Sequence, residues 1–356
     1  MKKLLLFLPL WMLLCSGCGL WAAHPPLEAI ETAETIGLDA AQGVRVSVTT
    51  GDDADSERID ETAQTLPLAL EALRERSLHG GLFFGHAQFV LLGEDYARAG
   101  IQPLLDYAAR SAELRLATPL FILRGTAADA VLAGEGAVTA QLTALSRSGS
   151  PACTVLAASD RLARTGCVLI STVRYDAEAH ALSPDGCAVL RGGRLIGYLD
   201  ADAAQAAAWL SGDDRARIAL NSGATLAVKR CTATLDASQD GAAPAALTLT
   251  VRAEAEVEQL PESIRVTDPD VRARLETALA ETIAECFADA IRKTQALRAD
   301  VLDLGGMLAA RHPILWRTCA ARWASIFPDV PVTVHTEVRI TGTQDLTDPL
   351  PEEGGT

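Results

Sequence analysis

The residues that could do chemistry are few and scattered. Six histidines stand at 24, 79, 86, 180, 312 and 335, and no two share the helical or strand spacing that a metal site needs. There is no GxSxG, no HExxH, no Walker loop and no GxGxxG after an apolar run. The expectation is no enzyme, no metal and no cofactor. The one motif with defined chemistry is Ser16-Gly17-Cys18. Small residues before a cysteine form a lipobox, in which the Cys18 sulfur takes a diacylglyceryl group and its amine is acylated after cleavage. Cys15 stands where leucine is usual. A CxxC redox pair of Cys15 and Cys18 is ruled out, because Cys15 leaves with the leader.

The segment before this motif fits it. Lys2 and Lys3 precede "LLLFLPLWMLL", a charged start and a short apolar run typical of a secretory signal. Eleven residues are too few for a spanning helix, which needs about 20. No later apolar stretch is long enough either. The formal net charge is −15 and becomes −17 once Lys2 and Lys3 leave. Such an acidic chain is a poor partner for nucleic acid and has no polybasic grip on anionic lipid. Acyl chains on Cys18 are then the expected membrane anchor.

Six cysteines follow the leader: Cys153, Cys167, Cys187, Cys231, Cys286 and Cys319. Most read as small apolar core residues. Export leaves room for one disulfide among Cys153, Cys167 and Cys187, and spacing does not choose a pairing.

The elements that must position any site alternate at first. "ETIGLDAAQGVRVSVTTG" reads as two strands around Ala40 to Gly43, and "TLPLALEALRERSLHG" as a helix with Thr65 at its cap. "GLFFGHAQFVLLG" reads as a strand carrying His86, "EDYARAGIQPLLDYAARS" as one or two helices, and "ELRLATPLFILRG" as another strand. A hairpin turns at Gly192-Gly193. "DDRARIALNSG" marks a boundary near residue 213. Two long strands follow. In "ALTLTVRAEAEVEQL", Leu247, Leu249, Val251, Ala253, Ala255 and Val257 face one way and charged or hydroxyl residues the other. From Asp268 to Leu297, apolar residues recur every four positions and predict a long helix lying on the dry face of that sheet. Helical pieces broken at Gly305-Gly306 and before Pro313 come next, then a last strand "VPVTVHTEVRI".

The expected fold is α+β and multi-domain, with mixed sheets and helices and a C-terminal antiparallel sheet covered by the long helix. The expected division is a signal peptide at 1–17, a lipidated tether at 18–26, an N-terminal domain at 27–213 that can split in two in space, a C-terminal domain at 214–345, and a polar tail at 346–356. His86 has two readings: a packed strand histidine bonded to a backbone carbonyl near Gly93, or a functional residue that contacts a partner or senses pH. Trp316 and Trp323 stand seven apart and share a helical face, as core or as a docking patch. Asp300 and Asp303 suit helix caps.

Several stretches together resemble one family. The lipobox, "TIGLD", "FFGHAQFVLLGEDYARAGI" and "RSAELRLATPLFILRGTA" come in order. They are followed by "KTQALRADVLDLGGMLAARHPILW", "RWASIF" and "VPVTVHTEVRITGT". The chain resembles the Ger(x)C family, the lipoprotein C subunits of spore germinant receptors. Gln295, Asp300, Gly305, Trp316 and Trp323 fall on the family pattern. The chain departs from it in "GLWAAHPP" after Cys18 and in Gly306, where an acidic residue is common. The resemblance implies a non-catalytic structural or signalling subunit, lipid-anchored on the outer face of the spore inner membrane. It implies a polytopic A-type partner and a permease-like B-type partner. The rival reading is a solute-binding lipoprotein serving a transporter, which requires two similar α/β lobes; the long antiparallel pair at 225–260 argues against it.

Overall fold

The computed structural model describes residues 31–50, 57–77, 81–134, 137–147, 153–212, 216–241, 243–261, 266 and 268–343. Two sheets organise them. The larger is built from β1 (Glu31–Ala41), β2 (Gly43–Thr50), β3 (Glu57–Ala63), β4 (Leu82–Phe83), β5 (Phe89–Leu92), β6 (Pro119–Leu123), β7 (Cys153–Thr154), β8 (Cys167–Asp176), β9 (Ala181–Arg191) and β10 (Arg194–Leu199). Its order is β10-β9-β8-β6-β5-β1-β2-β3, with β4 paired to β1 and β7 to β6. The middle strands β1, β5, β6 and β8 are parallel, and antiparallel hairpins flank them. Parallel strands are covered on both faces, which is why β5 "FVLL" and β6 "PLFIL" are unbroken apolar runs.

Helices cover both faces. On one lie α1 (Leu66–Arg76), α2 (Glu94–Ala99), α3 (Gln102–Arg110) and, after the two named next, α6 (Val155–Thr165). On the other lie α4 (Ala128–Leu132) and α5 (Val138–Arg147). Gly37 of β1 admits α4 at close range: a Cβ there would stand 2.8 Å from Leu132 Cδ1 and 3.0 Å from Ala128 Cβ. The β9–β10 turn does fall at Gly192-Gly193, with φ of 56° and 77°.

The second sheet has the order β11-β12-β13-β14, from β11 (Arg217–Ala219), β12 (Thr225–Asp240), β13 (Ala243–Gln259) and β14 (Val332–Thr343). β12 and β13 form the expected antiparallel pair; β14 adds to β13 in parallel, so the sheet is mixed. Before it come α7 (Ala201–Leu210) and, between β13 and β14, α8 (Pro269–Ala296), α9 (Leu304–Arg311), α10 (Pro313–Cys319) and α11 (Trp323–Ile326). Leu275, Leu279, Ile283, Phe287 and Ile291 of α8 are buried in one core with Leu247, Leu249, Val251, Ala253, Ala255 and Val257 of β13. The predicted stripe and row therefore do meet. Helix α7 joins that same core, its Trp209 ring stacking on Phe287 at 5.9 Å. Cys167, Cys187, Val189 and Leu199 of the larger sheet also belong to it, so the two sheets share apolar contact rather than a bare linker.

Three expectations are corrected. Gly305-Gly306 does not break a helix; it forms the first turn of α9, and the interruption lies at 297–303. No disulfide links Cys153, Cys167 or Cys187, which are buried free thiols. His86 is not in a strand but in an exposed turn between β4 and β5.

Candidate functional site

The family-pattern residues of the C-terminal half converge on the segment between α8 and α9. At the end of α8, the Gln295 amide donates to the carbonyls of Phe327 at 2.9 Å and Val330 at 2.8 Å, fixing the approach to β14. Asp300 is buried. It accepts from the backbone N–H of Leu304 (2.9 Å) and Gly305 (2.7 Å) and from the Trp323 indole Nε1 (2.7 Å). Asp303 holds the N-cap of α9, in the left-handed region at φ 64°, and accepts from Gly306 N–H. The free N–H groups of a helix start are thus taken by two carboxylates, the favourable sign for that end of the helix dipole. Burial pushes the Asp300 carboxyl above its usual value, against the lowering effect of those three donors.

Trp316 and Trp323 meet edge to face, with ring centroids 5.5 Å apart, over Gly305. A Cβ on Gly305 would lie 2.6 Å from Trp323 Nε1 and 2.9 Å from Trp316 Cη2. The pair sits on successive helices α10 and α11 rather than on one helical face. Trp323 is buried and Trp316 half-buried, so the two rings close the core over α9.

This segment is also where the two sheets are fastened. The Arg161 guanidinium of α6 reaches Asp303 Oδ2 at 2.7 Å and the Val301 carbonyl at 2.8 Å. Arg191, at the end of β9, donates to the carbonyls of Leu297 and Arg298 at 3.3 and 3.4 Å. Lys293 of α8 pairs with Asp200, the N-cap of α7. Sequence reasoning missed Arg161 and Arg191, because neither carries a local signal; each acts on residues more than a hundred positions away.

At the other end of the larger sheet, Asp39 of the quoted "TIGLD" is a buried carboxylate. It accepts from Ala128 N–H and Asp129 N–H, both at 2.7 Å, and so seats the start of α4. Glu94 accepts from Tyr198 Oη and Gly125 N–H, both at 2.6 Å. Burial pushes Glu94 up, but these donors with Arg98 and Arg124 outweigh it and hold it below its usual value.

His86 has no carbonyl near Gly93 as partner. Its Nδ1 lies 3.5 Å from Arg115 Nη2, and its ring leans on Phe83 at 5.3 Å. Cys18 falls outside the described residues. Beside α1 and α3 runs a groove of about 770 Å³, lined by Val44, Leu66, Tyr96, Gln102, Tyr107 and Arg194 among others. Burial pushes the Tyr96 phenol up to about 12. Among the described residues, no group of three His, Cys, Asp or Glu side chains is placed to hold a metal ion. None of their helices is long and apolar enough to cross a membrane.

Comparison with known proteins bears on both halves. A family model described as spore germination protein N-terminal domain matches residues 26–137. A second, described as spore germination B3/GerAC like, C-terminal, matches residues 185–344; it begins inside β9 of the larger sheet. The crystal structure of the GerBC protein superposes with a TM-score of 0.59, covering 86% of this chain and 96% of that one at 16% identity, a likeness of fold. No curated protein matches the sequence. Matched in chain order over most of its length, the protein belongs to the Ger(x)C family of spore germination proteins.

Proposed function

We propose that this chain is the lipid-anchored C-type subunit of a nutrient germinant receptor, acting as a non-catalytic structural and signalling component on the outer face of the spore inner membrane. Its partners in this reading are a polytopic A-type subunit and a permease-like B-type subunit. The observation that carries the reading is order: the lipobox at Cys18 is followed directly by the germination-protein matches at 26–137 and 185–344. Asp39, Asp300, Gln295 and Gly305, which sit in the shared stretches, are all committed to holding the fold together. That suits a subunit whose contribution is shape and contact.

The experiment is Cys18→Ala in the spore-forming host. Without a thioether-linked diacylglycerol, the protein should leave the membrane fraction, and nutrient germination should fall to the level of a strain lacking the gene. A variant that still pellets with membrane after a high-salt wash overturns the anchor. Membrane loss with undiminished germination overturns the receptor role.

A further inference from the structure

Five large apolar side chains are well exposed among the described residues, and three of them gather at one end of the larger sheet. Phe83 (45% exposed) is on β4; Leu116 (39%) precedes β6; Leu156 (55%) opens α6. The loops that carry them are tied to one another. The Leu156 N–H donates to the Leu116 carbonyl at 2.8 Å. Arg115, next to Leu116, lies 3.5 Å from His86, whose ring rests on Phe83. The Gly85 position lets the Phe83 ring fold over the turn, since a Cβ there would stand 2.5 Å from Phe83 Cζ. The result is an apolar rim with one guanidinium in it. Nearby carboxylates are already engaged: Glu34 with Gln88, Glu113 with Arg74, Asp160 with Arg164.

The chain itself enters the described fold at this rim. Residue Glu31 begins β1 and pairs with Leu82, and Thr32 pairs with Phe83. Cys18 lies thirteen residues upstream of Glu31. At full extension those residues span at most roughly 43–47 Å. A tether of that reach keeps the protein at a membrane but does not choose which side faces it. An exposed apolar cluster where the tether joins does choose.

We propose that Phe83, Leu116 and Leu156 seat on the lipid surface, with Arg115 at the phosphate level, so that the starts of β1, β5 and β6 face the membrane. The inference rests on lipidation of Cys18. With a net charge of −15 that becomes −17 once Lys2 and Lys3 leave, contact comes from apolar burial and the single cation, not from general attraction to anionic lipid.

The test uses the full lipidated protein in vesicles of phosphatidylglycerol and phosphatidylethanolamine. The photoreactive residue p-benzoylphenylalanine replaces Leu116, Leu156 or Leu68 in turn. Leu68 is the internal control: it is 52% exposed, but it sits in the first turn of α1, beside a groove lined by Ala40 at the opposite end of β1 and Gly43 at the start of β2. Irradiation should give about tenfold more phospholipid adduct at 116 and 156 than at 68, the factor expected when burial of one leucine-sized group is gained. Equal adduct at all three positions, or crosslinks only to protein, overturns the proposal. Sedimentation with the vesicles is scored separately: a chain that fails to sediment has lost its anchor, and the lipoprotein reading falls instead. In a second variant, Leu116→Ser with Leu156→Ser, the anchor is intact and the exposed sites leave the fold unchanged by circular dichroism. Phospholipid adduct from the same photoreactive residue at Phe83 should then drop severalfold. Undiminished adduct there overturns the seat as described.

Discussion

Arg161 and Asp303 stand 142 residues apart in sequence and 2.7 Å apart in space, and through them the larger sheet grips the cap of α9. The same guanidinium takes the Val301 carbonyl, so one side chain fixes both a carboxylate and the backbone that leads to it. Both side chains are about a quarter exposed, which screens the pair in part. Arg161→Ala should therefore cost about 1–2 kcal/mol in urea unfolding. In a double-mutant cycle with Asp303→Asn, the two losses should be non-additive by on the order of 1 kcal/mol. Additive losses would show that the two halves are fastened elsewhere.

The cysteines give a chemical check on packing. Burial pushes Cys153 and Cys187 up to about 12, and Cys167 also upward. A thiol so shifted has almost no thiolate at neutral pH. Native protein should leave all three unmodified by iodoacetamide, and unfolded protein without reductant should expose them as free thiols to mass spectrometry. Protection that persists after unfolding would mean that a disulfide exists.

The parts of this fold that were legible in the sequence are those with a local period. The four-residue spacing from Leu275 to Ile291 and the alternation from Leu247 to Val257 each name an element and the face it buries, and those faces meet. Turn chemistry was readable at Gly192-Gly193 for the same reason. What was not legible depends on distant partners. Gly305-Gly306 reads as a helix breaker locally, but Asp300 and Asp303 supply the acceptors that a helix start needs, and the Trp rings require a missing Cβ. His86 reads as a strand residue because its neighbours are apolar; Phe83 is in fact exposed, and the run is two short strands with a turn between them. The parallel addition of β14 to β13 follows from the crossover through α8, which no residue of "VPVTVHTEVRI" announces.

Acid should weaken the protein through Glu94, as through Glu113, which is also held below its usual value. The folded value of Glu94 is lowered, so its contribution is present above the usual 4.5 and is lost as pH falls through the folded value. Asp200, lowered by its hydrogen bond from Lys293, acts in the same direction below 3.8. Asp39 and Asp300, raised by burial, act oppositely: their contribution is fullest below 3.8 and declines as pH rises through their folded values. Glu94→Gln should lower the melting temperature at neutral pH and flatten its fall as pH drops below 4.5. A variant with an unchanged acid slope would move that sensitivity to other carboxylates.

Phe287 tests the C-terminal architecture most directly. It is fully buried on α8, stacked on Trp209 of α7, and shares a core with the dry face of β13. Because Trp209 lies outside the C-terminal sheet, a fragment beginning after α7 would strip its ring from Phe287, so the melts are compared on the whole chain. Truncating a buried phenylalanine costs about 3–5 kcal/mol, out of a total of about 5–15 for a domain. On the opposite face, Glu256 pairs with Lys229 at 3.4 Å with both side chains a third or more exposed, and such a pair contributes about 0–1 kcal/mol. Phe287→Ala should therefore lower the melting temperature by several degrees while Glu256→Ala leaves it within about 2–4 °C of the parent. Equal small shifts would mean that α8 does not cover this sheet, and the stacking of Trp209 on Phe287 would have to be given up with it.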